Sequence, residues 1–160
     1  MEGVSATLAA IDIGTNSVHL VVARVDDDRL DVLESEREMV RLGSSAGDMK
    51  RLDADAVDRG IDALRRFAQV AAIHGAPVRA VATSAVREAE NRAEFLDRAR
   101  DVGVDVEVIS GFEEARLIHL GVLRAVPVFD RRVLVCDIGG GSTELVVGVG
   151  TDVLTSRSLK

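Results

Sequence analysis

The chain reads Asp137-Ile138-Gly139-Gly140-Gly141-Ser142-Thr143-Glu144 between two apolar runs, Val133 to Cys136 and Leu145 to Val149. This pattern predicts two strands joined by a glycine-rich turn. Because glycine lacks a Cβ, the turn backbone is able to reach positive φ and lie against a ligand, where successive N–H groups suit phosphate oxygens. The carboxylate of Asp137 is placed to hold a divalent cation against those phosphates. The alternative is a simple hairpin with a loose glycine turn.

The same pattern occurs near the N-terminus, in Asp12-Ile13-Gly14-Thr15-Asn16-Ser17-Val18-His19-Leu20-Val21-Val22. This stretch matches residues 137–147 without a gap at seven of eleven positions. One pair of hairpins is too few for a solenoid and fits two related lobes. We expect two phosphate-binding turns that face each other across a cleft and hold a chain of phosphates from both sides.

Composition places the chain among globular proteins, since 47% of its 160 residues are hydrophobic and 29% are charged. No apolar run approaches the roughly 18 residues of a membrane span. The acidic N-terminus does not resemble a signal peptide. The single cysteine, Cys136, lies in an apolar strand and is interpreted as a buried structural thiol in a reducing compartment. These features predict a cytoplasmic protein that does not interact with membranes.

The net charge is −7, from 20 basic and 27 acidic residues. Nucleic-acid binding needs a basic surface, so this balance argues against it. A polyanionic ligand would have to be held by backbone N–H groups, metal ions and a few well-placed arginines.

The rest of the chain predicts a mixed sheet with helices packed on it. Predicted strands cover 8–13, 18–25, 30–40, 78–82 and 104–109, with a polar turn at 26–28 and a loop at 41–47. One helix is predicted from the N-cap Asp53 to the region of Gly75, and another passes through Phe95 and ends at Gly103. A strand that begins near 152 follows the second hairpin.

A third helix is predicted from Ser110, with Ser110 and Glu113 in a capping box. Glu114 lies three, four and seven residues before Leu117, Ile118 and Gly121, so helical spacing puts it on their apolar face. A carboxylate there costs free energy unless it has partners, and such a residue is a candidate for function. The alternative is a glutamate at the border of the face that reaches solvent. His74 and His119 are interpreted as structural.

Four segments in order are similar to the signature segments of the exopolyphosphatase and guanosine pentaphosphatase (Ppx/GppA) family. They are 12–17, Thr83-Ser84-Ala85-Val86-Arg87-Glu88-Ala89-Glu90-Asn91, Ser110-Gly111-Phe112-Glu113-Glu114-Ala115-Arg116-Leu117-Ile118 and 137–144. The resemblance implies the α/β fold of the actin-like ATPase superfamily, with the active site in the cleft between two ribonuclease-H-like lobes. Residues 1–125 then form the first lobe, a mixed five-stranded sheet with helices, and 126–160 the opening hairpin of a truncated second lobe.

The resemblance also implies hydrolysis of the terminal phosphoanhydride of polyphosphate, or conversion of pppGpp to ppGpp, with Mg²⁺. Glu114 resembles the catalytic carboxylate that activates water, and Glu144 resembles a second catalytic acid. The metal ligands it implies are Asp137, Glu144 and, with fewer grounds, Asp12. The phosphate-binding residues it implies are Gly14, Thr15, Asn16, Ser17, Arg87, Gly139, Gly140, Gly141, Ser142 and Thr143.

Two departures from the family pattern bear on function. His19 stands where the second copy has Glu144, so only the second hairpin supplies that carboxylate. The family's enzymes also carry the rest of the second lobe, so this piece alone is expected to be weakly active or inactive.

Two other functions remain open at this point. One is a module that binds polyphosphate or guanosine nucleotides without turnover, and the other is an actin-like sugar or acetate kinase. The strand after the second hairpin is expected to present an open edge at which a second copy pairs to form a homodimer.

Overall fold

The structure is a computed structural model that describes residues 5–26, 29–43 and 50–160. The chain forms two units, Met1–Val108 and Ile109–Lys160. Parts of two predicted segments, the turn at 26–28 and the loop at 41–47, lie outside the described residues. Among the described residues, no helix has the length and apolar character needed to cross a membrane.

The first unit is built on a five-stranded mixed sheet. Its strands are β1 (Ser5–Ile13), β2 (Ser17–Asp26), β3 (Arg29–Met39), β4 (Val78–Ala82) and β5 (Val106–Val108). Their order across the sheet is β3-β2-β1-β4-β5. The pairs β1–β2 and β2–β3 are antiparallel, whereas β1–β4 and β4–β5 are parallel. The predicted mixed sheet is therefore confirmed, although β5 is shorter than the strand predicted over 104–109.

Three helices accompany this sheet: α1 (Ala54–Ile73), α2 (Ser84–Glu88) and α3 (Arg92–Asp101). The side chain of Asp53 accepts a hydrogen bond from the Ala56 N–H at 3.2 Å, which begins α1 as predicted. Gly75 follows the helix with φ of 60°, the left-handed conformation that ends many helices. The sequence did not predict α2, because five residues are too short to show a helical period.

The core of the first unit joins the helices to one face of the sheet. Alternate residues near the glycine turn are buried, from Ala9 to Ile13 in β1 and from Val18 to Val22 in β2, so the residues between them lie at the other face. The largest buried side chains of this core are Ile11, Ile13, Leu20, Leu42, Leu64, Phe67 and Phe95. This packing fixes the ends of β1 and β2, where the first glycine turn lies.

The second unit is a helix packed on a three-stranded antiparallel meander. Its elements are α4 (Gly111–Ala125), β6 (Val133–Ile138), β7 (Thr143–Val149) and β8 (Asp152–Leu159). Within the described residues β8 pairs only with β7, so it forms an edge of this sheet. The division between units falls after Val108, which puts α4 with the second sheet, whereas the sequence interpretation placed residues up to 125 in the first lobe.

Two predictions about the second unit are wrong. Cys136 is exposed instead of buried, because α4 packs on one face of the meander and Cys136, Leu134 and Ile138 alternate toward the other. The buried residues of α4 are Ala115 and His119, four residues apart, and not the face of Leu117, Ile118 and Gly121. The sheet partner decides which face of the helix is buried, and helical spacing alone did not identify it.

Candidate active site

Both glycine turns have the same backbone geometry. The Gly14 N–H donates to the Ser17 carbonyl at 3.0 Å, and the Gly139 N–H donates to the Ser142 carbonyl at 2.9 Å. The strand pairs that flank the turns also correspond, since Ile13 lies opposite Val18 and residue 138 opposite 143. The sequence repeat is therefore a structural repeat of two hairpins with four-residue turns.

The glycine at the first position of each turn lies close to a backbone carbonyl oxygen. A Cβ on Gly14 would lie 3.3 Å from the Ser17 carbonyl oxygen, and one on Gly139 would lie 3.1 Å from that of Ser142. Positive φ, which the sequence suggested for the turn, does not occur there. Among the described residues it occurs at Arg41, Gly75, Gly103 and Gly150. Because glycine has no Cβ, the hydrogen bond that closes each turn forms without a steric conflict at this position.

The first turn is held by the segment that follows β3. The carbonyl of Asn16 accepts hydrogen bonds from the N–H groups of Val40 and Arg41 at 3.0 and 2.8 Å. The carbonyl of Thr15 accepts one from the Gly43 N–H at 3.1 Å, and the Thr15 residue is buried. The turn is therefore fixed before any ligand arrives. Residues 40–43 were not identified from the sequence, because backbone donors leave no side-chain pattern.

Arg87 belongs to the same unit, on α2. The Thr83 N–H donates to the Ile13 carbonyl at 3.1 Å, so α2 begins beside the first turn. The Arg87 side chain is 19% exposed, and its Nε lies 3.6 Å from Oε1 of Glu88. Ser84 is the first residue of α2, three residues before Arg87. Its hydroxyl is buried and has no hydrogen-bond partner among the described residues. The first unit thus brings the first turn and the helix of Arg87 together.

The acidic residues of the second hairpin form a cross-strand pair. Asp137 in β6 lies directly opposite Glu144 in β7, so their side chains project from the same face of the sheet. Asp137 is exposed, whereas Glu144 is 1% exposed. On the other side of β7, Ser158 lies opposite Glu144, and its hydroxyl donates to Oε1 of Glu144 at 2.8 Å. A buried carboxylate without such a donor would be costly.

The matching pair in the first hairpin has a different character. Asp12 lies opposite His19, and both residues are exposed. Nε2 of His19 lies 3.2 Å from the Ser35 hydroxyl. The buried glutamate is thus a property of the second hairpin alone, as the sequence departure at His19 indicated.

The first turn of α4 carries two glutamates in different surroundings. The Ser110 hydroxyl accepts a hydrogen bond from the Glu113 N–H at 3.1 Å and begins the helix. Both Glu113 carboxylate oxygens accept hydrogen bonds from Arg116, at 2.8 and 2.7 Å, and this contact lowers the pKa of Glu113. Glu113 is thus engaged by Arg116, one turn along the helix. Glu114, the neighbouring residue, is half-buried.

The helix α4 approaches the meander closely at two glycines. A Cβ on Gly111 would lie 3.0 Å from Cβ of Ser158, and one on Gly148 would overlap the imidazole of His119. His119 is fully buried, and its Nε2 lies 2.9 Å from the Gly150 carbonyl. The contact at Gly111 places the first turn of α4 beside Ser158, the donor to Glu144.

Each unit therefore collects part of the predicted set. The first brings together residues 14–17 and the helix of Arg87, and the second brings together residues 139–143, Asp137, Glu144 and the helix start that carries Glu114. The described residues contain no group of three His, Cys, Asp or Glu side chains arranged to hold a metal ion. Asp137 and Glu144 form a two-carboxylate set, and Mg²⁺ commonly takes one or two carboxylates with substrate oxygens and water as its other ligands.

Comparison with known proteins identifies close structural relatives. The family model described as the Ppx/GppA phosphatase family matches residues 21–160. The PPX-GPPA enzyme of Aquifex aeolicus is 36% identical with a TM-score of 0.88, over 97% of this chain and 52% of that one. An exopolyphosphatase of Cytophaga hutchinsonii is 38% identical with a TM-score of 0.90, over 96% of this chain and 50% of that one.

A more distant structure agrees with the fold only. The ethanolamine utilization protein EutJ of Carboxydothermus hydrogenoformans is 18% identical with a TM-score of 0.56. These neighbours share the actin-like ATPase fold, and the predicted fold class is thereby confirmed. The chain spans about half the length of the structures that it matches.

Proposed function

Because the chain belongs to the Ppx/GppA phosphatase family, we propose that it is part of a Mg²⁺-dependent phosphoanhydride hydrolase. The substrate class is a linear chain of phosphates, either inorganic polyphosphate or the 5′ end of pppGpp. The product is one inorganic phosphate and a chain that is one phosphate shorter. The similarity to the Cytophaga hutchinsonii exopolyphosphatase favours polyphosphate as the first substrate to test.

The observation that carries the proposal is the pair of Asp137 and Glu144 beside the turn at 139–142. The strand register puts the side chains of Asp137 and Glu144 on one face of the sheet, at the end of the hairpin that the glycine turn closes. Phosphoryl transfer asks little covalent chemistry of the protein, and it depends on holding water, metal and phosphate in line. The hairpin provides the groups for that task in eight consecutive residues.

Each residue has a distinct role in this proposal. Asp137 and Glu144 hold Mg²⁺, which when bound neutralises charge on the phosphate oxygens. Backbone N–H groups of the turn at 139–142, other than that of Gly139, which closes the turn, donate to the oxygens of the terminal phosphoryl group. In the first unit, the turn at 14–17 and Arg87 bind phosphate oxygens, since a guanidinium matches them bidentately.

Glu114 acts as the general base in this proposal. Its carboxylate takes a proton from the attacking water as the new P–O bond forms and the bridging P–O bond breaks. The released phosphate chain leaves with the bridging oxygen. Glu113 is unsuited to this role, because its two oxygens accept hydrogen bonds from Arg116.

Phosphate release by the full-length protein tests the proposal. Purified protein with Mg²⁺ is expected to release phosphate from polyphosphate or from pppGpp, and the ratio of kcat/KM values identifies the preferred substrate. Saturable Mg²⁺-dependent binding with no release would favour the binding module instead. Formation of ADP from ATP with a sugar or acetate acceptor would favour a kinase, and either result would overturn the proposal.

A further inference from the structure

We propose that Ser158 is a positioning residue that orients the carboxylate of Glu144 for metal binding. This inference rests on the proposed function, because it assigns a partner to one of the proposed metal ligands. Its starting point is the hydrogen bond of 2.8 Å from the Ser158 hydroxyl to Oε1 of Glu144. Among the described residues no other hydrogen bond to this carboxylate is found.

The register of the sheet makes the contact specific. Ser158 and Glu144 are direct cross-strand partners in β8 and β7, so both side chains project from the same face. Glu144 is 1% exposed, and solvent therefore does not compete for Oε1. Ser158 lies on the edge strand and is exposed as a residue, yet its hydroxyl is committed to the buried carboxylate.

The start of α4 restricts the serine from the other side. A Cβ on Gly111 would lie 3.0 Å from Cβ of Ser158 and 3.3 Å from its hydroxyl oxygen. The helix start therefore lies in close contact with Ser158, and a Cβ at position 111 would require one of them to shift. The helix start thus packs beside the side chain that donates to Glu144.

Ser158 therefore touches two parts of the proposed machinery. It binds Glu144 directly, and it lies against the helix turn that carries Glu114 three residues after Gly111. The hydroxyl restricts how the Glu144 carboxylate can rotate and leaves Oε2 as the oxygen that would bind a metal ion. Metal-ligating carboxylates are commonly oriented by hydrogen bonds of this kind, and losing the donor weakens metal binding about tenfold or more.

The test compares Ser158→Ala with Ser156→Ala. Ser156 is the matched control, since it lies two residues earlier in β8 on the same face and opposite the apolar Val146. Mn²⁺ binding without substrate, followed by electron paramagnetic resonance, is expected to weaken roughly tenfold in Ser158→Ala. In Ser156→Ala it is expected to stay within twofold of wild type.

A second pair of measurements separates positioning from a general loss of structure. Ser158→Thr keeps the hydroxyl and is expected to restore Mn²⁺ affinity to within threefold of wild type. In the Glu144→Gln background, Ser158→Ala is expected to have no further effect on Mn²⁺ affinity, because both residues act through one contact. In phosphate release, Ser158→Ala is expected to lower kcat about tenfold with KM for polyphosphate unchanged.

Failure of the inference about Ser158 can be distinguished from failure of the proposed function. If the wild-type protein binds Mn²⁺ but releases no phosphate, the hydrolase proposal fails and the Mn²⁺ comparison still decides the role of Ser158. Equal Mn²⁺ affinities in Ser158→Ala and wild type would overturn the inference. So would an equal loss in Ser156→Ala, or a failure of Ser158→Thr to restore affinity while its unfolding midpoint matches wild type.

Discussion

Asp137 and Glu144 face each other across β6 and β7 in the same register that joins Asp12 and His19 across β1 and β2. The two hairpins share their turn geometry and differ in whether the second partner is a buried acid. The backbone repeat therefore carries a pair of opposed carboxylates in only one of its copies. This asymmetry leads to separate predictions for the two hairpins.

The first prediction concerns the acid of the second hairpin. Glu144→Gln keeps the size of the side chain and its ability to accept a hydrogen bond from Ser158, but it removes the charge that a divalent cation needs. We expect phosphate release at saturating polyphosphate to fall by about 10²-fold or more. The matched change in the first hairpin, His19→Gln, is expected to leave the rate within twofold. Similar losses in the two variants would contradict the asymmetry.

A second prediction concerns the turns themselves. Gly14→Ala and Gly139→Ala each introduce a Cβ within 3.3 and 3.1 Å of a backbone carbonyl oxygen, which must move to accept it. We expect the closing hydrogen bond to lengthen and KM for polyphosphate to rise roughly tenfold in each variant. Steady-state phosphate release over a range of polyphosphate concentrations measures this. An unchanged KM in both would show that the turns do not bind substrate.

The third prediction concerns how α4 packs on the sheet. Gly148→Ala places a methyl group where the His119 imidazole lies, and it is expected to lower the free energy of unfolding by about 1–3 kcal/mol. Gly121→Ala is the control, because nothing lies near its Cβ position on the exposed part of the helix, and it is expected to stabilise by about 0.5–1 kcal/mol. Urea unfolding measures both. A stable Gly148→Ala variant would contradict the packing of His119.

A fourth prediction follows from the ion pair of Glu113 and Arg116. Arg116 lowers the pKa of Glu113 from its ordinary 4.5 in the folded chain. Ionised Glu113 therefore stabilises the folded state at pH values above the unfolded pKa. This stabilisation is lost as the pH falls through the lowered pKa of the folded state. The stability difference between wild type and Glu113→Gln should be small, constant at pH values well above 4.5, and lost as the pH falls through the lowered pKa of Glu113. Urea unfolding across that range, repeated in 1 M salt, measures it, and a difference that grows toward low pH would contradict it.

The hairpins could be predicted from the sequence because their information is local. A glycine turn between apolar runs specifies its own strands, and the repeat of Asp12 to Val22 at 137–147 strengthened the interpretation. The helix α1 was predicted for the same reason, since Asp53 is an N-cap residue and Gly75 is a residue type that commonly ends helices. Similarity of short motifs also led to the family, which the comparisons support.

Other features depend on packing between distant segments. The buried face of α4 centres on His119 because Gly148 leaves room for the imidazole. The spacing of apolar residues within α4 gives no information about a glycine in the strand that it packs on. Cys136 is exposed because the helix covers only one face of the meander. The contact of Ser158 with Glu144 was not predicted, since a serine in a strand carries no signal until the register places it opposite Glu144. The roles of the site residues and of Mg²⁺ stay predictions.

Phosphate release by Glu114→Gln, compared with Glu113→Gln, tests the central claim most directly. The two residues are adjacent in the first turn of α4, and both carboxylate oxygens of Glu113 accept hydrogen bonds from Arg116. With full-length protein, Mg²⁺ and polyphosphate, we expect Glu114→Gln to lower kcat by about 10²–10⁴-fold and Glu113→Gln to stay within twofold of wild type. A Glu114→Gln variant that releases phosphate at the wild-type rate would contradict the account.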